Sequence, residues 1–215
     1  DRSAGAKLWD LDGNEYIESL LALGKLPLGY AFEEIDNAVR AQMQKGVLFG
    51  LMSPLEVQAA QAVIETVPCA EMVRFFKTGA ESTAAALRVA RAFTKKDVVL
   101  HCGYHGWLDT ISCDRENPGV PQGLNGSLFA FPWNDENAVK VLLQEHAGNV
   151  AAIMVNPVNY YSVDDGSFLR FLRGVCDEEN ILLIYDEIVT GYRLSLGGAQ
   201  EYFKVIPDLA CFAKG

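Results

Sequence analysis

Four short stretches hold residues whose types and spacing suit one kind of chemistry. In Lys77-Thr78-Gly79-Ala80-Glu81-Ser82, a glycine lets the backbone turn tightly into an Ala-rich helix. The first amides of a helix lack intrahelical acceptors and sit at the positive end of its dipole, so Gly79 and Ala80 make a candidate phosphate cradle. An ordinary turn capped by Thr78 or Ser82 is the alternative reading. In Cys102-Gly103-Tyr104-His105-Gly106-Trp107, glycines on either side let the Tyr104 ring project and stack on a flat heteroaromatic ligand. His105 reads as a structural hydrogen-bonding residue. Only His101 and His146 join it in the sequence, and no spacing marks a metal site.

The third stretch is Ile181-Leu182-Leu183-Ile184-Tyr185-Asp186-Glu187-Ile188, two acids after a wholly apolar run. A carboxylate there holds a pyridine nitrogen protonated and makes such a ring a better electron sink. A metal-binding or solvated acid pair is the other reading. The fourth is Asp208-Leu209-Ala210-Cys211-Phe212-Ala213-Lys214-Gly215. A lysine at the end of a short apolar run is partly desolvated, which lowers its pKa and makes it a better nucleophile toward an aldehyde. A surface lysine beyond a strand is the plainer alternative.

The elements between these stretches must bring them together. Trp9 to Ile17 alternates around Asp12-Gly13-Asn14, a hairpin pattern. Helices are predicted over 33–45, with Ile35, Val39 and Met43 on one stripe, and over 53–66, opened by Ser53-Pro54-Leu55-Glu56. Strands at 72–76, 98–101, 127–131, 150–155 and 181–185 then alternate with helices at 81–93, 135–146 and 168–180. That order implies an α/β fold, a mostly parallel sheet sandwiched by helices, after an N-terminal hairpin and helix segment. Ligands of such sheets bind beyond the carboxyl ends of the strands, where the four stretches fall.

Composition narrows the class. The 215 residues are half hydrophobic, enough to bury one substantial core. Against 28 acidic residues stand 18 Lys and Arg, a formal net charge of -10 with no basic run, so no nucleic-acid partner is expected. Five cysteines without a C-x-x-C pair fit reduced thiols, and no metal set is expected. No signal-peptide pattern or membrane-length apolar run stands in the sequence, so a cytoplasmic setting without membrane partners is the expectation.

Together the stretches resemble the class III aminotransferases, in particular their glutamate-1-semialdehyde aminomutase-like branch. The resemblance runs from Trp9-Asp10-Leu11-Asp12-Gly13-Asn14-Glu15-Tyr16 through Tyr104-His105-Gly106 and Asp186-Glu187-Ile188-Val189-Thr190-Gly191-Tyr192-Arg193 to Pro207-Asp208-Leu209. It implies a fold-type-I pyridoxal-phosphate enzyme, a homodimer acting on a small amine, amino acid, ketone or aldehyde as aminotransferase or aminomutase. In that reading Lys214 is the Schiff-base lysine and Asp186 the acid pairing with the pyridine nitrogen. Ile188 packs on one ring face and Tyr104 on the other, and the amides of Gly79 and Ala80 hold the phosphate. Residues 1–50 then belong to a small domain and interface helix, and 51–215 to a cofactor-binding large domain incomplete at its carboxyl end.

Three departures stand out. Ala80 replaces the Thr or Ser of many relatives, Asn156-Pro157-Val158 replaces Glu-Pro-Val, and Asn159 to Gly166 lacks the usual glycine pattern. A degenerate relative that only binds cofactor or partners is therefore the alternative. A phosphate-binding oxidoreductase is disfavoured because no strand is followed by G-x-G-x-x-G.

Overall fold

A computed structural model describes residues 2–114, 117–158 and 165–215. The chain divides into two compact units, 1–61 with 214–215, and 62–213. In the first, strands β1 (Arg2–Ala4), β2 (Lys7–Trp9) and β3 (Glu15–Ile17) form an antiparallel sheet. The predicted hairpin is β2–β3, and its turn is tied by the Asp10 carboxylate, which accepts from the amides of Asp12 and Asn14 and from the Tyr16 hydroxyl. β1 is an addition that sequence periodicity did not reveal. A single turn, α1 (Leu21–Gly24), contains left-handed Ala22 and Leu23, and Glu18 steadies it by accepting from the amides of Leu20 and Ala22. Helix α2 (Glu33–Met43) forms where predicted, and its stripe of Ile35, Val39 and Met43 is solvent-exposed. Helix α3 (Pro54–Thr66) runs across the boundary in sequence.

The second unit is the α/β layer. Five parallel strands stand in the order β5 (Leu128–Ala130), β4 (Val98–Cys102), β6 (Val150–Val155), β7 (Leu182–Asp186), β8 (Leu209–Cys211). β4, β6 and most of β7 are buried on both faces, which explains their continuous apolar runs. Alternate residues feed two cores. Leu100, Ile153, Val155, Leu183 and Tyr185 pack with Val139 of α5 (Glu136–Glu145) and with Phe168, Leu169, Leu172 and Cys176 of α6 (Ser167–Glu179). Val99, Ala152, Met154, Ile184 and Cys211 pack with Ala86, Leu87 and Ala90 of α4 (Gly79–Thr94). The chain leaves β4 to one side for β5 and returns on the other side for β6. A topological switch therefore opens at the carboxyl end of β4, where crevices of such sheets form.

One predicted strand is absent. Met72 to Phe76 runs without ladder bonds, although its residue pattern suits a strand. Its residues Met72, Phe75 and Phe76 are exposed, and a cleft of about 380 Å³ is lined jointly by this segment and by Leu209, Ala210 and Phe212. A strand needs a partner edge, and the described residues bring none to it. Short α7 (Gly198–Phe203), by contrast, was not predicted. The segment 159–164, which holds most of the departure at 159–166, lies outside the described residues.

Candidate active site

At the carboxyl ends of β4, β6 and β7 the predicted residues of the second unit draw together. Asp186 closes β7 on the α4 face, the face shared by Ile184 and, by alternation along β4, by Val99 and His101. Its side chain is 2% exposed. Oδ2 lies 2.8 Å from His105 Nδ1, and Oδ1 accepts from the Ile188 amide at 3.1 Å. His105 is thus the hydrogen-bonding residue expected, and its partner is the very acid singled out for ring chemistry. Thr83 of α4 fixes the loop by donating to the His105 carbonyl at 2.7 Å.

Gly79 and Ala80 open α4 against the same spot. A Cβ on Gly79 would stand 2.7 Å from Ile188 Cδ1 and 3.3 Å from the Cβ of Ala213, so glycine here leaves room for those two side chains against the helix start. Gly106, at φ 122°, meets Ala80 equally closely. The capped-turn reading of this helix start is what the structure shows. Thr78 and Glu81 form a capping box, with Thr78 Oγ1 accepting from the Glu81 amide and Glu81 Oε2 accepting from the Thr78 amide at 2.8 Å. The cap does not use the amides of Gly79 and Ala80, which remain available to an anion.

Tyr104 projects from its glycine-flanked loop and is 71% exposed. Its amide donates to Asn156 Oδ1 at 3.0 Å, and a Cβ on Gly103 would overlap that same oxygen. Asn156 therefore moors the aromatic loop from the end of β6. Ile188 lies two residues past Asp186 and packs at the edge of the α4-side core.

Asp186 and Glu187 are not a solvated pair. Glu187, 1% exposed, turns away to accept from Thr190 Oγ1 and the Ala199 amide, each at 2.7 Å, and from the amide and side chain of Gln200, each at 3.2 Å. It anchors α7. Asp208 plays a like part for β8, accepting from the Leu183 amide at 2.7 Å and from Arg173 at 2.8 Å. β8 leads through Phe212 and Ala213 to Lys214, which belongs to the first compact unit. Within that unit Lys214 Cδ stands 3.8 Å from where a Cβ on Gly24 would be.

A second histidine was not singled out from sequence. His101 lies behind His105, ring centroids 5.4 Å apart at 69°, with its Nε2 3.4 Å from Asp114 Oδ2. Burial, reinforced by His105, pushes His101 down to about 4 against the opposing pull of Asp114. The signal was present in the alternation of β4, which sets His101 and Val99 on one face. Burial likewise pushes the Cys69 and Cys102 thiols up to about 11.

The donor set fits pyridoxal phosphate: a buried carboxylate for a ring nitrogen, an aliphatic and an aromatic side chain for two ring faces, and two helix-start amides for a phosphate. Residues 1–215 match the family described as aminotransferase class-III. The chain is 42% identical over 223 residues to the glutamate-1-semialdehyde 2,1-aminomutase of Methanosphaera stadtmanae, a match covering 98% of this chain and 53% of that protein. Its fold superposes on an omega-transaminase from Sphaerobacter thermophilus with TM-score 0.91 at 29% identity, over 100% of this chain and 53% of that one. A transaminase solved with PLP bound gives TM-score 0.92 at 28% identity, covering 100% and 54%. The chain thus spans about half the length of the proteins it matches.

Proposed function

The chain belongs to the class-III aminotransferases, and from that membership we propose that it is the cofactor-binding part of a pyridoxal-phosphate-dependent aminotransferase or aminomutase of small amino compounds. Bound pyridoxal phosphate supplies a ring that withdraws electrons from the carbon bearing an amine. The chain's own residues supply the rest. Asp186 holds a proton on the ring nitrogen through a charge-assisted hydrogen bond. Gly79 and Ala80 donate amides to the phosphate, reinforced by the α4 dipole. Ile188 and Tyr104 take the two ring faces and keep water from them. Lys214 provides the amine that holds the cofactor and then moves a proton to and from the substrate carbon.

The observation that carries this reading is the convergence in one unit of a buried carboxylate, an aliphatic side chain packed on Gly79 and an unclaimed pair of helix-start amides. Lys214 is supported by its place in sequence, directly after Ala213, which packs near Gly79. A homodimer is part of the same proposal, supported by exposed Leu48, Phe49, Leu51 and Met52 next to the exposed stripe of α2. Among the described residues no helix is long and apolar enough to cross a membrane.

The test is titration of the full-length polypeptide with pyridoxal phosphate. A visible absorbance band of lysine-bound cofactor is expected, and Lys214→Ala should abolish it. Identical spectra from both proteins would overturn the assignment. Product analysis then separates the two activities: an aminomutase returns nitrogen to another carbon of one molecule, whereas a transaminase delivers it to a second.

A further inference from the structure

The first compact unit contains a turn whose left-handed backbone is unusual for its residues, and the Lys214 side chain passes over the end of it. We propose that Glu18 is a positioning residue for Lys214, acting through the turn Leu21–Gly24. The proposal rests on reading Lys214 as the cofactor-holding amine. Every residue in it belongs to the unit of residues 1–61 with 214–215.

The turn is strained. Leu21, Ala22 and Leu23 take φ of 52°, 50° and 62°, and Gly24 continues at 81°. Each non-glycine residue held there presses its Cβ toward the following carbonyl oxygen, so three in a row persist only where the surroundings over-determine them. Glu18 is the side chain that does so. Its Oε1 accepts from the Leu20 amide at 2.8 Å and its Oε2 from the Ala22 amide at 3.0 Å. The carboxylate is itself held in place. The Glu18 amide donates to the Ala6 carbonyl at 2.9 Å, and the Tyr30 hydroxyl donates to Oε2 at 3.4 Å. Two backbone bonds of 2.9 Å between Tyr30 and Gly5 tie that tyrosine to the residue after β1.

The turn ends at the lysine. Lys214 Cδ stands 3.8 Å from where a Cβ on Gly24 would be, so the bare side of Gly24 faces the alkyl stem and leaves it a clearance the width of a methyl group. Lys214 is half-buried. A lysine stem is flexible and loses much rotamer freedom when ordered, so it keeps one direction only where a wall restricts it. In the proposed role the amine first holds the cofactor and then moves a proton. That sequence needs a stem with a fixed course and a tip with room to swing. Glu18 fixes the turn, the turn sets the course, and glycine at its end leaves the room.

The test uses the full-length polypeptide, labelled with ¹³C-lysine and free of cofactor. The readout is the order parameter at Lys214 Cδ, assigned by the signal that Lys214→Arg removes. Glu18→Ala should lower it about twofold, toward the range of a flexible side chain. Adding Ala22→Gly and Leu23→Gly relaxes the strain that Glu18 opposes and should recover part of the loss. Gly24→Ala should raise the order parameter, because the new methyl fills the clearance beside Cδ. Asp10→Ala is the control: it unties the β2–β3 turn of the same unit and should leave Lys214 unchanged. If Glu18→Ala does not fold, Glu18→Gln carries the test, since it keeps one acceptor and should lose less order. Unchanged order in the Glu18 variants overturns the proposal. Equal loosening in Asp10→Ala overturns it too, because it marks general loss of the unit. Loosening in Gly24→Ala, or no recovery from the two glycines, does the same. With pyridoxal phosphate added, the band of lysine-bound cofactor should form about 10-fold more slowly in Glu18→Ala than in the wild type, and equal rates count against the role. If the wild type shows no such band while the order parameters behave as stated, the cofactor reading falls and the positioning of Lys214 stands.

Discussion

At the residue scale, two adjacent acids illustrate how far spacing alone reaches. Asp186 and Glu187 read alike in sequence, as a pair at the end of an apolar strand. Period-two alternation sends them to opposite faces, and their partners decide the rest: His105 and an amide for Asp186, four donors for Glu187. Those donors come from residues up to 13 positions away and bear no local signature. The same limit hid Asp114 and His101, whose relation exists only across the fold. The tight turns at Gly79 and around Tyr104 were legible because glycine marks backbone constraint in the sequence itself. Glu187→Ala strips four buried hydrogen bonds while leaving Asp186 in place. It should therefore destabilise the fold by about 3 kcal/mol, read as a lower urea midpoint, and Glu187→Gln should recover part of the loss. A midpoint unchanged in Glu187→Ala would show that α7 is held by something else.

At the scale of elements, periodicity located four of the five parallel strands, all but β8, and the long helices to within a residue or two, because strands buried on both faces and amphipathic helices write their environment into their composition. It failed where an element depends on a neighbour. Met72 to Phe76 has strand composition but no partner edge, and α7 is a short turn of helix stabilised by a distant carboxylate. The start of α4 was read as either a phosphate cradle or a capped turn, and the capping box of Thr78 and Glu81 is compatible with both, because it does not use the amides of Gly79 and Ala80. Thr78→Ala removes one half of that box and should cost about 1 kcal/mol, measured as a drop in thermal midpoint. On the proposed phosphate contact of Gly79 and Ala80, it should also weaken pyridoxal phosphate more than pyridoxal, since fraying at the first turn would blur those amides. Equal weakening for both ligands would detach the cap from the phosphate contact.

For the molecule as a whole, the buried titratable groups set the pH range over which the unit of residues 62–213 holds together. His101 has its pKa lowered to about 4 by burial and by His105, while an unfolded histidine titrates near 6.5. Between those values the unfolded chain binds a proton that the folded one refuses, so stability rises with pH across the window. The penalty is absent above about 6.5 and complete below about 4, reaching about 3 kcal/mol. On the alkaline side, burial raises the Cys69 and Cys102 thiols to about 11 and Cys211 to about 12. Unfolded thiols ionise near 8.5, so above that pH the unfolded state sheds protons the folded state keeps, and stability falls as pH climbs toward 11. Urea midpoints plotted against pH should form a dome with its top between about 6.5 and 8.5. Carboxylates add their own slope below pH 5, so the decisive comparison is His101→Phe, which should flatten the limb between pH 6.5 and 5 and leave the alkaline limb unchanged. An acid limb as steep in His101→Phe as in the wild type would mean that His101 is charged inside the fold.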